Sequence, residues 1–135
     1  MKTEVFSLST GDRRVVDITA LVEEFVARSG ESEGLVNIFA PHATAGIALI
    51  ETRSGTEEDL ASTIERLLPR DDIYVHRHGS KGHGGDHVLP AFVAPSLMIP
   101  VIGGRLSLGT WQSVVFVDPN RDNPERNVRL SFVPG

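Results

Sequence analysis

The chain has 135 residues and a mass of 14.6 kDa, which suits one domain and is too short for a (β/α)₈ barrel of about 250 residues. Its composition, 40% hydrophobic and 23% charged, supports a buried core and excludes a disordered or fibrous chain. A net charge of -5 with no basic run argues against a nucleic-acid partner, and the lack of cysteine removes disulfides, thiolate metal sites and cysteine nucleophiles.

The first residues run through Val5, Phe6 and Leu8 with serines interleaved, unlike the continuous apolar segment of a signal peptide. No run reaches the roughly 20 apolar residues of a membrane span, so no membrane partner and a cytoplasmic location are expected. Val5 to Leu8 and Val15 to Ile18 read as strands around Thr10-Gly11-Asp12. Ile18, Leu21, Val22, Phe25 and Val26 then recur at helical spacing, with Asp17 or Thr19 as N-cap and Gly30 as terminator.

Leu35 to Ala40 and Gly46 to Ile50 are apolar runs expected to be buried strands. Thr56-Glu57-Glu58-Asp59 resembles a capping box before the stripe Leu60, Ile64, Leu67 and Leu68, which Pro69 ends. Ile73 to His78 alternates like a strand, with Tyr74, His76 and His78 on one face. A short helix is expected from Asp86 to Ala94, with Pro90 in its first turn.

Leu97 to Ile102, Gly103-Gly104 and Arg105 to Leu108 form the clearest hairpin, because Gly-Gly supplies the positive φ of a two-residue turn. Strands at Trp111 to Val117 and Val128 to Val133 flank a polar loop. Residues 1–135 therefore read as a single α+β domain. It is a compact, mainly antiparallel β-sandwich of about eight strands with two or three packed helices.

Four of the five histidines fall between positions 76 and 87. Imidazole is the commonest zinc ligand and exchanges protons near neutral pH. On the strand reading, His76, His78 and His87 bring three nitrogens towards one ion, while His83 is most simply part of a solvated Gly/His loop. Glu51 at a strand end and Asp59 in a helix's first turn are the carboxylates of interest, although a first-turn acid also favours the helix dipole without any chemistry. Trp111, the only tryptophan, is by itself more simply a core residue, and Arg126 is either a phosphate fork or a surface charge.

In order, His42-Ala43-Thr44-Ala45-Gly46-Ile47, Glu51, Asp59, His76, His87, Ser96 and Gly109-Thr110-Trp111-Gln112 resemble the YjbQ-like family, the secondary thiamine-phosphate synthases, over about 120 residues. Arg126 matches a late arginine. Ile50 and Thr52 replace two asparagines around Glu51, Ser54-Gly55 replaces an Asp-Pro pair, and Leu89 stands where a lysine commonly follows the third histidine.

The resemblance implies a homotrimer with a polar site near subunit contacts. It implies His42, His76 and His87 as ligands of a divalent ion, Thr44, Glu51 and Asp59 as catalytic residues, and Trp111, Gln112 and Arg126 as substrate-binding residues. Imidazole ligands favour a zinc-like ion over magnesium. The implied activity is weak coupling of a pyrimidine methyl diphosphate to a thiazole phosphate, beside an undefined main reaction on a small phosphorylated metabolite. Two alternatives stand beside this enzyme: a non-enzymatic trimer that holds a metal or phosphorylated metabolite, and a metal-free enzyme using His42 or His87 as acid or base.

Overall fold

The computed structural model describes residues 1–135 except Asp72 and His78. In chain order the elements are β1 (Lys2–Ser9), β2 (Val15–Asp17), α1 (Thr19–Ser29), β3 (Glu33–Phe39), β4 (Gly46–Ile50), α2 (Thr56–Leu67), α3 (His83–Val88), a 3₁₀ turn (Leu89–Ala91), β5 (Ser96–Ile102), β6 (Arg105–Leu106), β7 (Ser113–Val117) and β8 (Glu125–Pro134). The strands form an antiparallel five-stranded sheet, β1-β8-β3-β5-β6, and an antiparallel three-stranded sheet, β2-β7-β4. The α+β architecture is thus the one expected from the chain's pattern of elements.

The main core lies between the two sheets and α1: Val36, Ile38, Leu130 and Phe132 meet Ile47, Val114 and Phe116, and Val22 and Val26 join them. Alternation in the strands explains why one face of each is apolar and buried. On the other face of the three-stranded sheet, Val115 and Val117 pack with Ile64 and Leu68 from the α2 region and with Leu89. Helix α1 ends at Gly30 in the left-handed region (φ 73°), and the β5–β6 turn uses Gly103 and Gly104 at φ 60° and 76°, as the Gly-Gly pair requires.

Four local expectations are corrected. Helix α2 starts from Gly55 in a left-handed conformation with no side-chain cap, so Thr56 and Asp59 form no capping box; Gly55 supplies a backbone carbonyl to the Asp59 N–H instead. The N-cap of α1 is Ile18, and Asp17 serves the same helix end from one position earlier by accepting the Thr19 N–H at 2.9 Å. Residues 73–77 are not a strand. Two of their side chains bond locally instead, Tyr74 Oη donating to the Pro69 carbonyl and Arg77 Nε to the Tyr74 carbonyl. The expected strand partner face included His78, which lies outside the described residues. Finally, the helix expected from Asp86 begins earlier, at His83, and breaks at Leu89 into a 3₁₀ turn where Pro90 sits near its start.

Strand β7 sets the frame for the candidate polar residues. It runs from Ser113, opposite Ile50 of β4, to Val117, opposite Gly46 and Val15. The three-stranded sheet therefore has a Ser113 end and an Asp118 end, and the residues singled out in the sequence, Asp59 apart, divide between them.

Candidate functional site

At the Asp118 end, three imidazoles converge. Helix α3 carries His83 and His87 one turn apart on one face, the i, i+4 relation that aligns side chains. His76 comes from the preceding loop and stacks on His87 with ring centroids 4.3 Å apart. One ring nitrogen from each of the three lies within 4.8 Å of the other two.

The approach depends on glycine. A Cβ on Gly84 would sit 2.3 Å from the His76 carbonyl oxygen, and one on Gly85 would sit 2.7 Å from the Tyr74 hydroxyl. Only bare backbone lets the 74–76 loop lie against α3 and deliver His76.

The cluster is held from outside by a polar network. Asp86, on the same helix, is 1% exposed and accepts both Arg70 Nη1 at 2.6 Å and Arg70 Nη2 at 3.0 Å, a bidentate pair that anchors α3. The Asn120 amide donates to Asp86 Oδ2 at 3.1 Å and lies 3.4 Å from Asp122 Oδ2. His83 Nδ1 lies 3.2 Å from that same Asp122 oxygen. His83 Nδ1 also lies 3.1 Å from the Asn120 amide nitrogen, so one tautomer donates from Nδ1 to Asp122 and the other accepts there from Asn120.

His83 Nε2 and His87 Nε2 share a hydrogen bond across 2.8 Å. Hydrogen bonds from Ser80 hold the Asp122 carboxyl below its usual range, with burial acting the other way and Asn120 and His83 adding to the lowering. An anionic Asp122 behind Nδ1–H is the arrangement that fixes a metal-ligating histidine's tautomer. Tetrahedral coordination at Zn–N of about 2.1 Å would place ligand nitrogens about 3.4 Å apart, so an ion entering would displace the proton shared by His83 and His87 and part the two rings slightly.

His42 is placed elsewhere. The Asn127 N–H donates to its Nε2 at 2.9 Å, and its ring packs edge-on to Phe116. Burial lowers its pKa, and the nearby Arg126 adds to the effect against Asn127 and Asp118. Its Nε2 is engaged by the Asn127 backbone, 2.9 Å from the nitrogen and 3.2 Å from the carbonyl oxygen, and the cluster of three described histidines is completed by His83 instead.

Thr44 and Arg126 meet at a residue the sequence reading did not select. Asp118, 3% exposed, accepts Thr44 Oγ1 at 2.9 Å and Arg126 Nε at 2.7 Å, while its Oδ1 also takes the Asn120 N–H. Burial raises the Asp118 carboxyl's pKa, and the Asn120, Arg126 and Thr44 contacts offset only part of that rise. Arg126 is thus held through Nε by a buried carboxylate, and Thr44 donates to the same group.

Glu51, Trp111 and Gln112 lie at the Ser113 end. Glu51 and Trp111 line a cavity of about 570 Å³ together with Asp17, Glu23, Arg53 and Glu57. Gln112 Oε1 accepts the Gly109 N–H at 2.8 Å and its own N–H bonds the Gly109 carbonyl, closing a tight turn around the tryptophan. Trp111 is 73% exposed rather than part of the core. Asp59 is exposed on the first turn of α2 and joins neither group.

One signal for the missed member of the cluster was present in the chain: His83-x-x-x-His87 is helical i, i+4 spacing, but a helix read from Asp86 leaves His83 outside it. Asp118 offered no comparable signal, because its partners lie 74 positions away at Thr44 and 8 away at Arg126.

A two-sheet α+β domain with a histidine cluster at one end of its smaller sheet defines the class of protein. Residues 4–135 match the family described as UPF0047 protein YjbQ-like, and the chain belongs to that family. It is 59% identical to a UPF0047 protein of Mycobacterium tuberculosis over 135 residues, all of both chains. It is 33% identical to a UPF0047 protein of Methanothermobacter thermautotrophicus, covering 96% of this chain and 90% of that one. Among solved structures it is similar to a hypothetical protein from Aeropyrum pernix K1, with a TM-score of 0.90, 34% identity and full coverage of both chains. It is also similar to an uncharacterized YjbQ/UPF0047 protein from Clostridium acetobutylicum, with a TM-score of 0.86 and 31% identity over 96% of this chain and 99% of that one.

Proposed function

We propose that this chain is a metal-binding enzyme in which His76, His83 and His87 hold one divalent ion of the zinc-like class. The observation that carries the reading is the convergence of three ring nitrogens within 4.8 Å, backed by the Asp122 carboxylate behind His83. Three neutral imidazoles leave a position for a substrate oxygen or water, as in catalytic sites. An ion there would act as a Lewis acid on a phosphoryl oxygen. The substrate is a small phosphorylated metabolite, and coupling of a pyrimidine methyl diphosphate to a thiazole phosphate with loss of pyrophosphate is a secondary activity. In that reaction the thiazole nitrogen forms the new C–N bond as the methylene C–O bond breaks, and the charge of the leaving diphosphate is what the ion would stabilise.

The working unit is a cytoplasmic homotrimer. No helix among the described residues is long and apolar enough to cross a membrane. The outer face of the five-stranded sheet supports assembly, since Val5, Leu35, Phe39, Met98, Ile102 and Val133 all stand exposed there. Contiguous apolar surface of this kind marks interaction sites.

The test uses tag-free protein. Equilibrium dialysis against zinc should give one ion per chain, and turnover of phosphorylated metabolites should require that ion. Stoichiometric zinc without turnover across such a panel would favour the non-enzymatic module, and turnover unaffected by chelation would favour acid–base catalysis without metal. Light scattering at three times 14.6 kDa would support the trimer, and a monomer at micromolar concentration would oppose it.

A further inference from the structure

The cavity at the Ser113 end is built for the opposite charge from the substrate proposed above. We propose that it binds an organic cation of the quaternary ammonium class. Its volume of about 570 Å³ lies within the range of small-molecule pockets.

Three features define the ligand. The first is the indole of Trp111, the chain's only tryptophan, which is left 73% exposed at the cavity on a turn closed by Gln112. An exposed indole face attracts a cation through its quadrupole, and a quaternary nitrogen gives up less hydration than a primary ammonium on reaching it.

The second is charge. Asp17, Glu23, Glu51 and Glu57 face the cavity against Arg53 alone. Two of these acids are already engaged. Asp17 accepts Thr19 Oγ1 at 2.6 Å and Thr52 Oγ1 at 2.8 Å, and Glu57 accepts the Arg53 N–H through both oxygens. Among the described residues, the Glu23 and Glu51 carboxylates make no hydrogen bond or ion pair, so their charge is the part left for a ligand.

The third is the excess of acceptors over donors. The Thr19 and Thr52 hydroxyls are turned onto Asp17, which leaves Arg53, Thr110 and Ser113 to donate to an anion that would also face four carboxylates. A quaternary cation needs no donor at all.

This inference does not rest on the histidine site, because the two lie at opposite ends of the three-stranded sheet. The test follows the single indole N–H cross-peak of ¹⁵N-labelled protein during titration with choline chloride. The controls are sodium chloride, inorganic phosphate and 3,3-dimethylbutan-1-ol, which has choline's shape with carbon in place of the charged nitrogen. Choline should shift the peak saturably and bind at least tenfold more tightly than the neutral alcohol, and the E23Q/E51Q double variant should weaken it at least fivefold.

If that double variant does not fold, Trp111→Leu with ligand-observed saturation transfer replaces it, and choline transfer should be lost. Equal response to choline and the alcohol, no saturable response, or a response to phosphate alone would overturn the proposal. Zinc binding by the same sample reports on the histidine reading separately.

Discussion

The two ends of the three-stranded sheet use the same residue types in opposite ways. At the Asp118 end, charged groups are buried and matched: Arg70 with Asp86, Arg126 with Asp118, and Asn120 between them. At the Ser113 end, charged groups are exposed around an open cavity, and Glu23 and Glu51 are left for whatever enters. The contrast teaches that a residue's part in a site follows from how its polar atoms are already spent. Arg126 carries a guanidinium suited to phosphate, yet its Nε is held by a buried carboxylate; Trp111 is a core residue by type, yet it stands at a cavity mouth.

Breaking the buried end should have the largest effect. Arg70→Met leaves Asp86 buried without its bidentate partner, and loss of one member of such a pair costs about 3–5 kcal/mol. Thermal unfolding should show a large fall in Tm, whereas Glu51→Gln at the open end should leave Tm near that of the parent.

Asp122→Asn sharpens the comparison by separating support of the ligands from support of the fold. Asp122 is exposed, so stability should change little. Loss of the carboxylate behind His83 Nδ1 should weaken zinc binding by about 10- to 100-fold, as measured by competition with a chelating dye.

The pH dependence of stability distinguishes His42 from the cluster. Because the folded protein lowers the His42 pKa, the unfolded chain binds that proton more tightly. Its contribution is fully present above the unfolded value, about 6.5, and is lost as pH falls through the folded value. Denaturant unfolding at pH 7 and pH 5.5, with chelator present, should show a smaller acid-induced loss in His42→Gln than in the parent.

The smallest effect is expected at Asp59. As a first-turn acid on α2 it contributes about 0.3–1 kcal/mol through the helix dipole. Asp59→Asn should therefore shift Tm slightly and leave zinc affinity unchanged; a loss of tenfold or more would return Asp59 to the site.

Much of the fold was legible because its signals are local. Gly103-Gly104 announced the β5–β6 turn, the run Gly46 to Ile50 coincided with β4, and Gly30 ended α1. The alternation at residues 73–77 misled because a period of two only suggests a strand, and these residues have hydrogen-bond partners in Pro69 and Tyr74 rather than in a neighbouring strand. The histidine-rich segment was visible, but its membership was not: His83 joins through a helix that starts three residues before Asp86, and Gly84 and Gly85 matter for what they leave out. The Thr44–Asp118–Arg126 latch is a product of tertiary approach and had no footprint in spacing.

His76, His83 and His87 are proposed to form one metal site. Cobalt(II) titration of tag-free protein tests it most directly, because tetrahedral or five-coordinate cobalt absorbs visibly when bound by imidazole and only weakly in water. The expected result is a visible band that saturates at one ion per chain, is displaced by zinc, and is lost or weakened at least tenfold in each of His76→Ala, His83→Ala and His87→Ala, but not in His42→Ala. A band of parental strength in all three cluster variants, or one that disappears in His42→Ala alone, would contradict it.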